Sequence, residues 1–287
     1  MRFHSARIQR ISVPTARTVF ALTCILMISA FVPGCADPQP DSSATENESS
    51  GSSETSESME DNASEDTEPT AEFGPAPEGK VLRHAVFFSF KEETGDEQIQ
   101  KIVDAFRELP SKIEEIIDFQ WGVNNSPEGL DDGFTHCFLL TFKDEAGRAA
   151  YLPHDAHKAF GDVLRGHNDK VFVIDYWGTP NENPPEKELK HAVFFRFKED
   201  AAEEDIKKVE DAFAALPSKI DAIKAFEWGV NNSPERHSHG FTHCFMVTFD
   251  SEEGREVYLP HPDHKAFVEV LKPVLDAPRV LDFWAQK

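Results

Sequence analysis

Residues 84 to 177 recur as residues 191 to 284 at an unbroken offset of 107, with 54 of the 94 paired positions identical and no gap on either side. His-Ala-Val-Phe-Phe returns at His84 and His191, and Leu-Pro-Ser-Lys-Ile at Leu109 and Leu216. Trp-Gly-Val-Asn-Asn-Ser-Pro-Glu returns at Trp121 and Trp228, and Gly-Phe-Thr-His-Cys-Phe at Gly133 and Gly240. Solenoid units run about 20 to 50 residues, so this period is too long for one. It fits a whole small domain of roughly 100 residues, written twice. A gapless copy implies one fold for both units, meeting as a pseudo-symmetric pair as identical subunits do about a twofold.

Within the first unit the pattern predicts a strand over Leu82–Phe90, apolar on both faces. A helix follows from Asp96 to Glu108, with Ile99, Ile102, Val103 and Phe106 on one stripe. Pro110 ends it, and Ser111 is placed to cap a short second helix through Ile117. Phe119–Asn124 reads as a strand, and Asn125-Ser126-Pro127-Glu128-Gly129 as turn chemistry. Phe134–Phe142 alternates Phe134, His136, Phe138 and Leu140 against Thr135, Cys137 and Leu139. Helices are expected from Asp144 to Leu152 and from Pro153 to about Leu164, then a strand over Val171–Trp177. The order β-α-β-β-α-β is that of a ferredoxin-like α+β unit with its helices on one sheet face.

Such a unit leaves its other face bare. Ala85, Phe87, Thr135, Cys137 and Leu139 would lie there, too apolar to meet water. Packing the two sheets face to face would cover both. The Pro-rich linker 179–188 spans up to about 35 Å, enough for the two units of one chain to pair. Two separate units, each dimerising with another chain, are the alternative. The expected domains are thus 81–178 and 189–287.

The first 35 residues read as a processing signal. Arg2, Arg7, Arg10 and Arg17 precede an apolar run over Val19–Val32, shorter than the roughly 20 residues a spanning helix needs. The run ends in Val32-Pro33-Gly34-Cys35, which resembles a bacterial lipoprotein cleavage box with Cys35 as the lipidated residue. Pro33 is unusual there, and an ordinary secretory signal or uncleaved anchor is the alternative. Residues 36–80 carry thirteen acids against one Lys and almost no aliphatic side chain, the composition of a disordered tether. Export, anchoring at a bacterial membrane and an extracytoplasmic globular part are the expectation. Residues 81–287 keep a net charge close to −15, which argues against nucleic acid as a partner. Cys137 and Cys244 sit mid-strand between apolar neighbours and read as small buried hydrophobes.

Three segments together carry a resemblance. His84-Ala-Val-Phe-Phe-Ser-Phe-Lys, Gly133-Phe-Thr-His136 and Tyr151-Leu-Pro-His-Asp-Ala-His157-Lys-Ala-Phe resemble the stress-responsive α/β-barrel domain family, a branch of the dimeric α/β-barrel superfamily. The second copy matches through His191, His243 and Tyr258-Leu-Pro-His-Pro-Asp-His264-Lys-Ala-Phe. The resemblance implies two units paired through their sheets into one barrel. A plant polyketide cyclase of that family uses a Tyr and a His on this last segment as an acid–base pair. The matching positions are Tyr151 with His157, and Tyr258 with His264. Near neutral pH a His can remove an acidic C–H proton while a Tyr holds the developing enolate.

His84, His136, His191 and His243 would line the same space, with Phe88, Phe160, Phe195 and Phe267 as apolar contacts for a small apolar or phenolic ligand. The bland alternative is that the many phenylalanines fill that space and the histidines cap or pack. On that alternative the chain is a non-catalytic stress or envelope protein. His237-Ser-His239 has ligand-like spacing but no counterpart at Leu130–Asp132, so no metal site is expected. No phosphate loop, nucleophile elbow or Cys-x-x-Cys indicates a cofactor.

Overall fold

A computed structural model describes residues 73–287. Cys35, the basic and apolar segment read as a signal, and the acidic segment read as a tether as far as residue 72 lie outside the described residues. No helix among those described is long and apolar enough to cross a membrane.

The first unit comprises β1 (Val81–Phe90), α1 (Asp96–Arg107), β2 (Ile116–Val123), β3 (His136–Phe142), α2 (Glu145–Tyr151), α3 (Asp155–Leu164) and β4 (Asn168–Gly178). The second repeats it as β5 (Leu189–Phe197), α4 (Glu203–Ala214), β6 (Ala225–Val230), β7 (His243–Phe249), α5 (Glu252–Tyr258), α6 (Pro262–Leu271) and β8 (Leu275–Trp284). Each makes a four-stranded antiparallel sheet, in the orders β2-β3-β1-β4 and β6-β7-β5-β8. The α+β class and β-α-β-β-α-β order read from the sequence are those of the structure.

Period-two patterning sorts the strands onto two faces. Val86, Phe88, Phe138 and Leu140 face the helices, where Ile102, Val103 and Phe106 of α1 meet them. Ala85, Phe87, Cys137 and Leu139 face the other way and pack on Ala192, Phe194, Cys244 and Met246 of the second sheet. The two units of one chain therefore cover each other's apolar faces. Cys137 and Cys244 are free, buried thiols in this shared core.

The sheets also close along their edges, β4 against β6 and β2 against β8. Asn232 N donates to Asp175 O (2.9 Å) and Asn125 N to Asp282 O (2.8 Å), while Trp121 and Gln286 exchange backbone hydrogen bonds. The Trp-Gly pair recurs because these edges approach closely. A Cβ on Gly122 would meet Trp284 O at 2.6 Å, and one on Gly229 would meet Tyr176 Cβ at 2.9 Å.

Four local expectations are corrected. Ser111 caps no helix: Leu109–Ser111 is a single 3₁₀ turn, and the Ser111 hydroxyl donates back to Glu108 O. Ile116 and Ile117 already belong to β2, because Ile116 pairs with Phe142 and extends the ladder. Phe134 precedes β3, reversed by Gly133 at φ 80°, and its ring lies in the inter-sheet core instead of under the helices. Thr135 is exposed at the barrel end, hydrogen-bonded to Phe88 O, and takes no part in that core.

Candidate functional site

The most polar part of the interior lies where each unit's sheet edge meets the other unit's Asn-Asn-Ser-Pro-Glu turn. In the first unit β1 supplies His84 and β4 places Asp175 directly opposite it. Both are buried, and His84 Nδ1 lies 2.6 Å from Asp175 Oδ1. The other carboxylate oxygen accepts from Arg148 Nη1 at 2.8 Å. Asp144 caps α2 on Gly147 N, and that helix carries Arg148 and, one turn on, Tyr151.

The second unit's turn completes the cluster. Asn231 Oδ1 accepts from Asp175 N (3.1 Å), and Asn232 accepts from Arg148 through both its O and its Oδ1. Glu235 arrives on the same turn, with Oε2 3.7 Å from His84 Nδ1. The Tyr151 ring stands edge-on to His84 at 5.6 Å and lies 4.3 Å from His157, centroid to centroid.

Protonation follows from these contacts. Burial pushes the His84 imidazole down, but the charge and hydrogen bond of Asp175, joined by Glu235, outweigh it and hold its pKa above the usual value. Burial, with the charges of Glu235 and Asp175, holds the Tyr151 phenol well above its usual range, so it stays protonated. Burial lowers His157, against a hydrogen bond to Leu152 O at 2.9 Å that favours the charged form. A carbonyl only accepts, so His157 Nδ1 carries the proton and the neutral ring presents its lone pair at Nε2. A neutral base, a phenol donor and a His–Asp pair thus stand side by side. Tyr151, His84 and Asp175 form the buried floor, while His157 and Glu235 are part-exposed above it.

The second unit repeats this set closely. His191 Nδ1 lies 2.7 Å from Asp282 Oδ1 and 3.8 Å from Glu128 Oε1, and Arg255 Nη1 lies 2.8 Å from Asp282 Oδ2. Tyr258 is 4.3 Å from His264, whose Nδ1 donates to Leu259 O. Burial raises Glu128, partly opposed by His191, and the His191 and Arg255 contacts overcome burial to lower Asp282. In both clusters the Tyr hydroxyl, one Glu oxygen and the turn's Ser hydroxyl are buried without a hydrogen-bond partner: Tyr151, Glu235 and Ser233 in one, Tyr258, Glu128 and Ser126 in the other.

The structure thus brings together Tyr151, His157 and His84, and likewise Tyr258, His264 and His191. It does not bring in His136 or His243. His136 pairs with Phe88, four residues along β1 from His84, which is roughly 13 Å at strand spacing. It contacts Phe90 and the Thr135 hydroxyl there, and His243 bonds Glu210 of α4 at 3.1 Å.

Phe88, Phe160, Phe195 and Phe267 are packed core residues. Phe106 lies 4.4 Å from Phe138 and 4.5 Å from Phe160, and Phe213 repeats this with Phe245 and Phe267. The space under the helices is filled by rings. Two clefts of about 240 and 350 Å³ open elsewhere, one beside Arg83, Glu227 and Lys190, the other beside Pro110, Glu114 and His154. His154 and His261 cap α3 and α6 through Nδ1.

Arg148, Asp175 and Glu235, with Arg255, Asp282 and Glu128, escaped sequence reasoning. Two signals pointed to them. An Asp stands inside an otherwise apolar strand in both copies, at Val-Ile-Asp175-Tyr-Trp and Val-Leu-Asp282-Phe-Trp. The turn ending in Glu128 and Glu235 recurs letter for letter, although a solvated turn needs only small polar residues.

Comparison with known proteins agrees with this architecture. One unit is 37% identical over 95 residues (33% of this chain, 87% of the relative) to a stress-response A/B barrel domain-containing protein of Arabidopsis thaliana. One unit is 28% identical over 96 residues (33% of this chain, 95% of the relative) to olivetolic acid cyclase of Cannabis sativa. The crystal structure of an anthrone oxidase-like protein shares the fold, with TM-score 0.52 and 13% identity over 73% of this chain and 93% of that one. The family model described as the stress responsive A/B barrel domain matches residues 82–178 and again 189–285, so the chain belongs to that family and carries its domain twice.

Proposed function

We propose that each unit binds a small phenolic or otherwise enolisable molecule at its Tyr–His–Glu cluster and moves a proton on it. The observation that carries this is the buried tyrosine hydroxyl, glutamate oxygen and serine hydroxyl left without partners in both clusters. Unmatched buried polar groups cost free energy, and two copies of the same mismatch at one place indicate a ligand that supplies the partners. His157 and His264, neutral with Nε2 free, take the proton. Tyr151 and Tyr258 donate a hydrogen bond to the oxygen on which charge develops. Similarity to a plant cyclase supports this reaction class.

Native mass spectrometry of the purified full chain tests the reading. A small molecule retained by the wild type and lost from the double variants Tyr151→Phe/Tyr258→Phe and His157→Ala/His264→Ala is the expected result. Equal retention by all three would refute the site.

A second reading has its own support. The ring-packed interior is what a barrel used for stability or partner docking needs, and the asparagine turns read equally as clamps between units. A wild type that retains nothing, with both double variants less stable, would favour it.

We also propose that the chain is exported and held on a bacterial membrane through lipidated Cys35. The basic start, the short apolar run and the box before Cys35 support this. Two acyl chains would anchor it stably where one would not. Cys35→Ser should leave unprocessed precursor and abolish partition into detergent; wild type recovered unlipidated would remove the proposal.

A further inference from the structure

His84 Nδ1, Asp175 Oδ1 and Glu235 Oε2 all lie within 4.8 Å of one another, the one such group of three among the described residues. They come from β1, β4 and the opposite unit's turn, so no sequence spacing could announce them. Arg148 occupies Asp175 Oδ2 and leaves Oδ1 facing the histidine. Glu235 Oε2 is buried without a partner, since 3.7 Å from His84 is too long for a hydrogen bond. The Tyr151 hydroxyl, on a side chain with 0% exposure, is likewise unpartnered, and Glu235 and Asp175 are the charges acting on it. An imidazole nitrogen and two carboxylate oxygens converge there beside an unused hydroxyl, the donor types that hold a divalent cation.

We propose that His84, Asp175 and Glu235 bind a divalent first-row transition ion. Bonds of about 2.0–2.2 Å place neighbouring ligand atoms roughly 3 to 3.5 Å apart. The 2.6 Å His84–Asp175 contact opens as the bridging proton leaves, and the 3.7 Å contact to Glu235 closes by a few tenths of an ångström. One nitrogen with two oxygens suits Mn²⁺, Fe²⁺, Co²⁺ or Zn²⁺. Ca²⁺ asks for six to eight oxygens, and Cu⁺ for sulfur. A substrate oxygen or water would complete the shell. His191, Asp282 and Glu128 do not close into such a group, so the stoichiometry is one ion per chain. The ion ties the two units together, because Glu235 crosses between them. This inference shares the cluster of the proposed ligand site but needs no turnover.

The test uses the full chain stripped with chelator and titrated with Zn²⁺ in excess Mg²⁺, which occupies the carboxylates of the acidic segment. Calorimetry should give one equivalent for the wild type, none for Glu235→Gln and one for Glu128→Gln. His237→Ala/His239→Ala should keep one. No saturable binding by the wild type, or one equivalent in Glu235→Gln, overturns the proposal. X-ray absorption on the Zn-loaded wild type reads the shell without any variant: an imidazole with oxygens is expected, and an all-oxygen shell overturns it. A chain that takes up no ion yet still retains an organic molecule would sink the metal site and leave the ligand site standing.

Discussion

The two junction clusters and the core between the sheets obey different rules of duplication. In the clusters the copies agree closely: 2.6 against 2.7 Å for the His–Asp bond, 2.8 Å in both for Asp–Arg, 3.7 against 3.8 Å for His–Glu. In the core they do not. The position of Phe172 on β4 is held by Arg279 on β8, its guanidinium 4.3, 4.5 and 4.8 Å from the rings of Phe172, Phe241 and Phe134. An apolar core tolerates exchanges that keep volume, and even admits a cation whose flat face can lie on rings. A hydrogen-bonded network does not, because each donor must meet its own acceptor. Drift in one region and near-identity in the other mark where geometry is demanded.

The largest effect that could break this comparison is removal of an arginine from a cluster. Arg148→Ala strands Asp175 with His84 alone and frees both oxygens of Asn232, at a cost of about 3–5 kcal/mol. Arg255→Ala should cost the same within about 1 kcal/mol, because its contacts to Asp282 and Asn125 are equivalent. Urea denaturation measures both; a loss confined to one of them would show that the clusters are not energetically equivalent.

Arg279 sharpens the other side. Its Nη2 donates to Asp132, but Nε and Nη1 are buried without partners, and burial lowers its pKa. Arg279→Met keeps the volume and removes the unmatched donors, so stability should rise by about 1–2 kcal/mol. A loss of that size would show that the stacked rings more than offset the missing hydrogen bonds.

The strand order, the covered faces and the pairing of the units were legible because Ala85, Phe87, Cys137 and Leu139 alternate with Val86, Phe88, Phe138 and Leu140, and the two sets pack into separate cores at that period. Where pairing across the molecule overrides local pattern, legibility failed. Ile117 looks helical until Ile116 finds Phe142. Phe134 looks like a strand residue until Gly133 turns the chain. The cluster was legible only at Tyr151, His157 and His84, which sit in one unit's motifs. Asp175 and Arg148 needed the register between β1 and β4 and the docking of α2. Glu235 and Asn232 needed the other unit, which no periodicity within a single unit reports.

Both clusters should make stability depend on pH in the same way. His84 and His191 have raised pKa values, so their stabilisation is full below the unfolded value of about 6.5 and is lost as pH climbs through the folded values. His157 and His264 are lowered, so theirs is present above about 6.5 and is lost as pH falls through the folded values. Among these four histidines the maximum lies near pH 6.5. Urea midpoints against pH should show His84→Gln/His191→Gln flattening the alkaline flank and His157→Gln/His264→Gln the acid flank. Unaltered flanks would mean that neither pair titrates with folding.

The smallest expected effect separates function from packing most cleanly. Among the described residues the Tyr151 and Tyr258 hydroxyls make no hydrogen bond, although each ring is buried beside a His–Asp pair. Removing an oxygen that is already unmatched costs the fold nothing, so Tyr151→Phe and Tyr258→Phe should leave stability unchanged or raise it by up to about 1 kcal/mol. The paired rings keep their stacking on His157 and His264, so the shape of the cluster survives. If the hydroxyls serve a ligand, the double variant stays folded yet retains none of the small molecule that wild type holds. A loss of about 1–3 kcal/mol would instead mean that each hydroxyl has a partner within the protein in solution, and the case for a ligand resting on their isolation would fall with it.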